Sequence, residues 1–283
     1  MSFERTTPCG VISGTACQWP GIAAYKGIRY ATAGRWEFPV PVTHWDGVYD
    51  ATQYGACCYQ PRAFYDEAAA PGKAFYYNEF RKGETYTYSE DCLFLNIWAP
   101  ADAAPEDRLP VIFYIHGGGF TGGCGHEKHF DGPVWPTKGC VAVTINYRLG
   151  PMGFVCLPEL ADEAGSTGNY ALLDQLAALQ WVRANADEWH VDPKRVCVVG
   201  FSAGGMICAS LATQWKTGPF AALAGARPDD IRPDAVVLGY PLLDFAYVRD
   251  MQTRDPRIDL RVPKTGGKTG RDLLNDYLSM VTG

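Results

Sequence analysis

The sequence predicts an α/β fold, an open, doubly wound, mostly parallel sheet with helices on both faces. Three observations carry that expectation. First, apolar runs of strand length recur along the chain: LFLNIW (93–98), VIFYI (111–115), VAVTINY (141–147), RVCVVGF (195–201) and AVVLGY (235–240). Near-continuous apolar strands suit a parallel sheet buried on both faces. Second, a helical pattern from Asn169 to Asn185 separates the third run from the fourth, with Leu172, Leu176, Leu179, Trp181 and Val182 marking one face. Third, a chain of 283 residues, 47% hydrophobic and 20% charged, is long enough to bury a large core and is neither disordered nor collagen-like.

The elements follow in order. Cys9 to about Tyr30 holds short strand-like pieces, VIS and IRYA, broken by glycines. Residues 35–90 read as loop, with Pro39, Pro41, Pro61 and Pro71 among many tyrosines. Pro193 is expected to end the long helix, with the fourth strand following at once. A second helix is expected directly after Ser202, with Met206, Ile207 and Leu211 on it. Strands alternating with helices in this order give a doubly wound sheet. Residues 245–283 are charged, with Gly266, Gly267 and Gly270 ahead of DLLNDYL, and read as a helical excursion from a main domain over 1–244.

Charge and cysteine usage exclude several classes. Asp and Glu number 31 against 25 Lys and Arg, a net charge of −6, and no basic run offers a nucleic-acid surface. No stretch approaches the roughly 18 apolar residues of a membrane span. The start, MSFERTTPCG, has neither a basic run nor an apolar stretch, so no signal peptide is read and a cytoplasmic protein is expected. None of the ten cysteines has Cys-x-x-Cys spacing, so neither a metal site nor a redox dithiol is read. Cys140, Cys197 and Cys208 lie in apolar runs, where a free thiol acts as a small hydrophobe.

Two motifs carry chemistry. Gly200-Phe201-Ser202-Ala203-Gly204 follows an apolar strand and precedes a small-residue helix, the strand–turn–helix setting that Gly-x-Ser-x-Gly requires. A serine on such a turn points its hydroxyl out of the sheet. The helix N-terminus beneath it offers N–H groups to a developing oxyanion. His116-Gly117-Gly118-Gly119-Phe120 directly follows the strand VIFYI, and its glycines leave backbone N–H groups uncovered for a substrate carbonyl.

With these motifs in place, the chain resembles the α/β-hydrolases and, within them, the type-B carboxylesterases. Glu90-Asp91-Cys92-Leu93 through Pro100 looks like that family's second signature. Gly168-Asn169-Tyr170, Leu173-Asp174-Gln175, Ala178-Leu179-Gln180-Trp181-Val182 and Asn146-Tyr147-Arg148-Leu149-Gly150 fit as well, so the likeness covers roughly residues 10–185. Residues 188–244 look more like the smaller acetylesterase and hormone-sensitive-lipase-like hydrolases. The resemblance implies an α/β-hydrolase fold, a small ester substrate and no cofactor. Ser202 would be the nucleophile, and the N–H groups of Gly118, Gly119 and Ala203 the oxyanion hole. It also implies a pairing of Cys92 with an upstream cysteine, here Cys57 or Cys58.

The match departs from the family at Phe201, where a glutamate is usual, and at the catalytic base. In this fold the order is Ser, then Asp or Glu, then His. The five histidines, His44, His116, His126, His129 and His190, all precede Ser202, and none lies in the 81 residues after it. A serine without a base is a weak nucleophile. The expectation is therefore a chain that stops in a cap region after AVVLGY, without the fold's last strands and with little turnover. The alternatives are a catalytically silent binding module and one half of a split esterase. Asp244 is the best-placed remaining acid, although a loop or cap-anchoring role is the simpler reading. His126 and His129 are expected at the surface or facing substrate rather than as a relocated base. The stretch from Phe75 to Tyr88 reads either as an alcohol-side pocket or as an aromatic surface loop. Asp91 and Arg148 read as structural ion-pair residues.

Overall fold

The structure, a computed structural model, describes residues 3–70, 72–130, 132–161, 168–214, 232 and 235–239. Its centre is a seven-stranded sheet built from β1 (Thr15–Ala16), β2 (Ile22–Arg29), β3 (Phe94–Pro100), β4 (Leu109–Ile115), β5 (Val141–Ile145), β6 (Val191–Phe201) and β7 (Ala235–Gly239). The spatial order is β7-β6-β4-β5-β3-β2-β1. All five apolar runs seen in the sequence are strands of this one sheet. Every residue of β5 is buried, which is what a strand covered on both faces requires.

The expected parallel sheet is realised from β5 outward to β7, where all three pairs are parallel. The run at 93–98 departs from it, because β3 pairs antiparallel with both β5 and β2. Chain length explains the reversal. Only residues 101–108 join β3 to β4, and a parallel return needs a crossover of about a dozen residues or more. A second, smaller sheet of Glu4–Thr7, Gly10–Ser13 and Val48–Asp50 precedes it.

Two helices flank the sheet's parallel half: α1 (Tyr170–Ala184) and α2 (Ala203–Gln214). The helix predicted over 169–185 is present, and Leu179, Trp181 and Val182 of its expected apolar face are buried in the core. Ala171, Asp174, Ala177, Ala178, Trp181 and Val182 are buried, and the small residues among them let the helix lie close to its neighbours. Leu172 and Leu176 are half-buried and line an apolar cleft with Ile207 and Leu211 of α2. Pro193 does not end the helix. α1 stops at Ala184, where Asn185 Nδ2 donates to Trp181 O at 2.7 Å, and Pro193 lies inside β6. It falls where the β4–β6 register shifts, and such irregularities tolerate a residue without an N–H.

Arg148 anchors the core, as an ion-pair reading expects. It grips Asp174 through Nε–Oδ2 at 2.8 Å and Nη2–Oδ1 at 2.7 Å, and donates to Glu37 O at 2.7 Å. Asp91 pairs with Arg29 at the surface. Cys92 is fully buried against Cys58, which identifies the upstream neighbour, and both are free thiols here. Cys57 points elsewhere, toward His126. Among the described residues no helix is long and apolar enough to cross a membrane. Asp244 and residues 245–283 lie outside the described residues.

Candidate active site

The site forms where β4 and β6, adjacent in the sheet, both end. Ser202 sits between β6 and α2 with φ +53°, a left-handed conformation rare for a side chain other than glycine. Its N–H donates to Gly239 O at 2.7 Å, and its carbonyl accepts the first helical bond, from Met206 N at 3.0 Å. The flanking glycines have steric reasons. A Cβ on Gly200 would collide with the Gly204 backbone, and one on Gly204 with the Ile115 carbonyl at the end of β4. Ser202 is exposed while Ala203 behind it is buried.

The loop after β4 leans against this turn. A Cβ on Gly117 would lie 2.5 Å from Phe201 O and 3.2 Å from Ser202 Cβ. Gly118 and Gly119 have φ of +112° and +61°, and the Gly118 carbonyl accepts from Thr121 N and Gly122 N, each at 3.1 Å. Among the described residues, the N–H groups of Gly118, Gly119 and Ala203 have no hydrogen-bond partner. An open cleft of about 780 Å³ touches the glycine loop at Thr121 and is lined in part by Trp36, Tyr59, Phe64 and Met152. Its size suits a small organic ligand.

All five histidines are occupied away from Ser202. His116 is buried, its Nδ1 donates to Gly117 O at 2.8 Å, and its ring stacks on Tyr147 at 4.3 Å. Burial pushes its pKa down to about 4, so the ring is neutral. His44 meets Asp46 at 3.3 Å, and His190 Nδ1 lies 3.1 Å from Asp187 O. His129 is exposed, as the surface reading expects, whereas His126 is half-buried between Tyr54 and Tyr86. His126 Nε2 is 3.7 Å from Cys57 Sγ, and His129 Nε2 is 3.4 Å from the Tyr114 hydroxyl. Among the described residues, no histidine nitrogen pairs with Ser202.

The comparisons with known proteins fit this geometry. Residues 2–221 match the carboxylesterase family. The chain belongs to that family. Para-nitrobenzyl esterase of Bacillus subtilis (strain 168) is 42% identical over 211 residues, which cover 73% of this chain and 39% of the relative. Fumonisin B1 esterase of Sphingopyxis macrogoltabida is 36% identical over 215 residues, 74% of this chain and 36% of the relative. A solved structure of a PNB esterase superposes with a TM-score of 0.62 at 40% identity, covering 74% of this chain and 40% of that one. The chain thus spans under half the length of the relatives it matches, and the solved likeness gives it the α/β-hydrolase fold.

Within this carboxylesterase-family chain, sequence reasoning missed the side chains that hold the glycine loop. Buried Gln60 reaches across to it: Gln60 Nε2 donates to Gly123 O at 3.0 Å, and Gly123 N returns a bond to Oε1 at 3.0 Å. Asn146 takes Gly125 N at 2.8 Å on Oδ1 and donates to Ala56 O at 2.9 Å. Asn146 lies within a quoted motif, so its position carried a signal, whereas Gln60 lies in a stretch read as loop. The aromatic stretch divides between its two readings. Phe75 and Tyr76 are exposed, as a surface loop requires. Arg81, however, is buried and joins Glu67 and Glu127 in an ion-pair ring completed by Arg62, with Arg62 Nη1 2.6 Å from Glu127 Oε1.

Proposed function

We propose that this chain carries the acyl-transfer centre of a serine carboxylic-ester hydrolase acting on small esters. The observation that supports it most is the Ser202 turn: a left-handed serine abutting a glycine loop, with unpartnered N–H groups from both sides. Ser202 Oγ attacks the ester carbonyl, and the N–H groups of Gly118, Gly119 and Ala203 hold the oxyanion. The alcohol leaves, and water releases the acyl group from Ser202. The reaction needs no cofactor. The proposed catalytic domain is residues 1–244, with a cap excursion over 245–283, which lie outside the described residues, and the proposed setting is cytoplasmic.

The proton of Ser202 must go to a base, and each of the five histidines is engaged elsewhere. This 283-residue polypeptide is therefore expected to turn over weakly by itself. That same observation favours a second reading, a silent binding module or one half of a split esterase. Hydrolysis of p-nitrophenyl butyrate, run beside fluorophosphonate labelling mapped by mass spectrometry, tests both. The expected result is hydrolysis near the Ser202→Ala background, with slow adduct formation at Ser202 alone. Robust hydrolysis abolished by Ser202→Ala would overturn the expected weakness. Labelling elsewhere with Ser202 untouched would overturn the assignment of the nucleophile, and a folded chain with no adduct would favour the silent module.

A further inference from the structure

The sequence has no metal-ligand spacing, yet the fold gathers Cys57, Cys124 and His126 so that one ligand atom from each lies within 4.8 Å of the other two. Cys57 Sγ stands 3.7 Å from His126 Nε2. In a tetrahedral zinc site, bond lengths of about 2.3 Å to sulfur and 2.0 Å to nitrogen put sulfur and nitrogen about 3.5 Å apart. The cluster therefore needs little movement to close on an ion. Both cysteines are buried free thiols. The imidazole is held between Tyr54, stacked at 4.4 Å, and Tyr86, at 5.3 Å. Its Nδ1 is buried with no hydrogen-bond partner, so no bond at that atom turns the ring away from the thiols.

Position gives the cluster a consequence. Cys57 and Gln60 lie on one segment, Gly123 and Cys124 on the other, and Gln60 already clamps Gly123 through two hydrogen bonds. We propose that Cys57, Cys124 and His126 bind one thiophilic divalent cation of the Zn2+ kind, which fastens the glycine loop to residues 57–60. As each sulfur bonds the metal its thiol proton leaves to solvent, so two protons are released and no electron moves. Two thiolates neutralise the cation, which suits a buried position. Three protein ligands leave the fourth tetrahedral position to water or a small anion. Burial pushes the Cys124 thiol well above its ordinary range.

Titrating the reduced, metal-free full chain with Co2+ and then Zn2+ tests this without any turnover assay. The expected result is one equivalent of bound Co2+ showing thiolate-to-cobalt charge-transfer absorption and the visible bands of a tetrahedral site, bleached by one equivalent of Zn2+. Cys124→Ser and His126→Ala, each checked for folding by circular dichroism, should weaken binding by about 100-fold or more. Cys156→Ser, at an exposed cysteine outside the cluster, should leave it unchanged. A folded wild-type chain without the charge-transfer band overturns the proposal, and so does thiolate binding that survives in folded Cys124→Ser. The wild-type spectrum decides even if a variant misfolds.

Discussion

Two regions meet at the glycine loop and are built in opposite ways. On one side, residues 116–119 and 200–204 approach each other through backbone: Gly117 lies against Phe201 and Ser202, and Gly204 lies against the end of β4. On the other side, Arg62, Glu67, Arg81 and Glu127 hold the neighbouring segments together through side-chain charge. The backbone region closes through main-chain contact, and at Gly117, Gly118, Gly200 and Gly204 it has no room for an added carbon. The charged region tolerates neighbours of many shapes, but it cannot lose one member without stranding a buried charge. Stability in the first is a matter of space, and in the second of pairing.

The sharpest way to break the backbone side is to add one methyl group. Gly200→Ala drives a Cβ into the Gly204 backbone and the Cys208 sulfur, with no flexible atom free to yield. We expect a loss of about 4 kcal/mol or more in urea unfolding, at the severe end for a single substitution. Gly119→Ala is the control within the same region. Its Cβ meets nothing within 4 Å, so only the left-handed φ of +61° opposes it. That substitution should cost about 1–2 kcal/mol. Equal costs at the two positions would show that strain, rather than close approach, governs the region.

The same contrast explains what could be read from the sequence. Backbone contact leaves a local imprint, because a position without room for Cβ must be glycine. Gly200, Gly204, Gly117 and Gly118 therefore announced the Ser202 turn and its facing loop, with Gly119 there for its left-handed φ. The five apolar strands announced the sheet in the same way. The direction of β3 was not legible, since its apolar run is what a parallel strand would also show. It was the short link to β4 that set it. Nor were Gln60, the Arg62–Glu127 ring or the cluster of Cys57, Cys124 and His126 legible. Each is assembled from residues that are polar, scattered, and adjacent only after folding.

Breaking the charged side should cost less than the methyl group does. Arg81→Met keeps much of the side-chain volume but removes a buried cation that faces both Glu67 and Glu127. Arg62 remains beside both carboxylates, with Nε 3.1 Å from Glu67 Oε1, so one cation then faces two buried carboxylates and one charge is uncompensated. We expect about 3 kcal/mol of destabilisation, the lower end for a broken buried pair. A double variant that also replaces Glu127 with Gln should recover part of that loss. Recovery would identify the cost as stranded charge, and its absence would identify it as lost packing.

His116 joins the two regions, and its effect is the smallest of the three because it emerges only on acidification. Its Nδ1 bonds Gly117 O in the backbone region, while Glu127 of the ion-pair ring lies close enough to raise its pKa. Burial outweighs that attraction and holds the folded pKa at about 4, against an ordinary value of 6.5. Between those two values the unfolded chain binds more protons than the folded one, so acid favours unfolding. The stabilising contribution of neutral His116 is complete above the higher value, falls as pH drops through the window, and levels off below the lower one. From about pH 7 to about pH 5 the expected loss is about 2 kcal/mol. Other acidic groups titrate in the same range, so the measurement is a difference: urea unfolding of wild type and His116→Gln at both pH values. The wild type should lose about 2 kcal/mol more than the variant. Parallel losses would mean that His116 is readily protonated in the folded chain and that the loop does not depend on its neutral form.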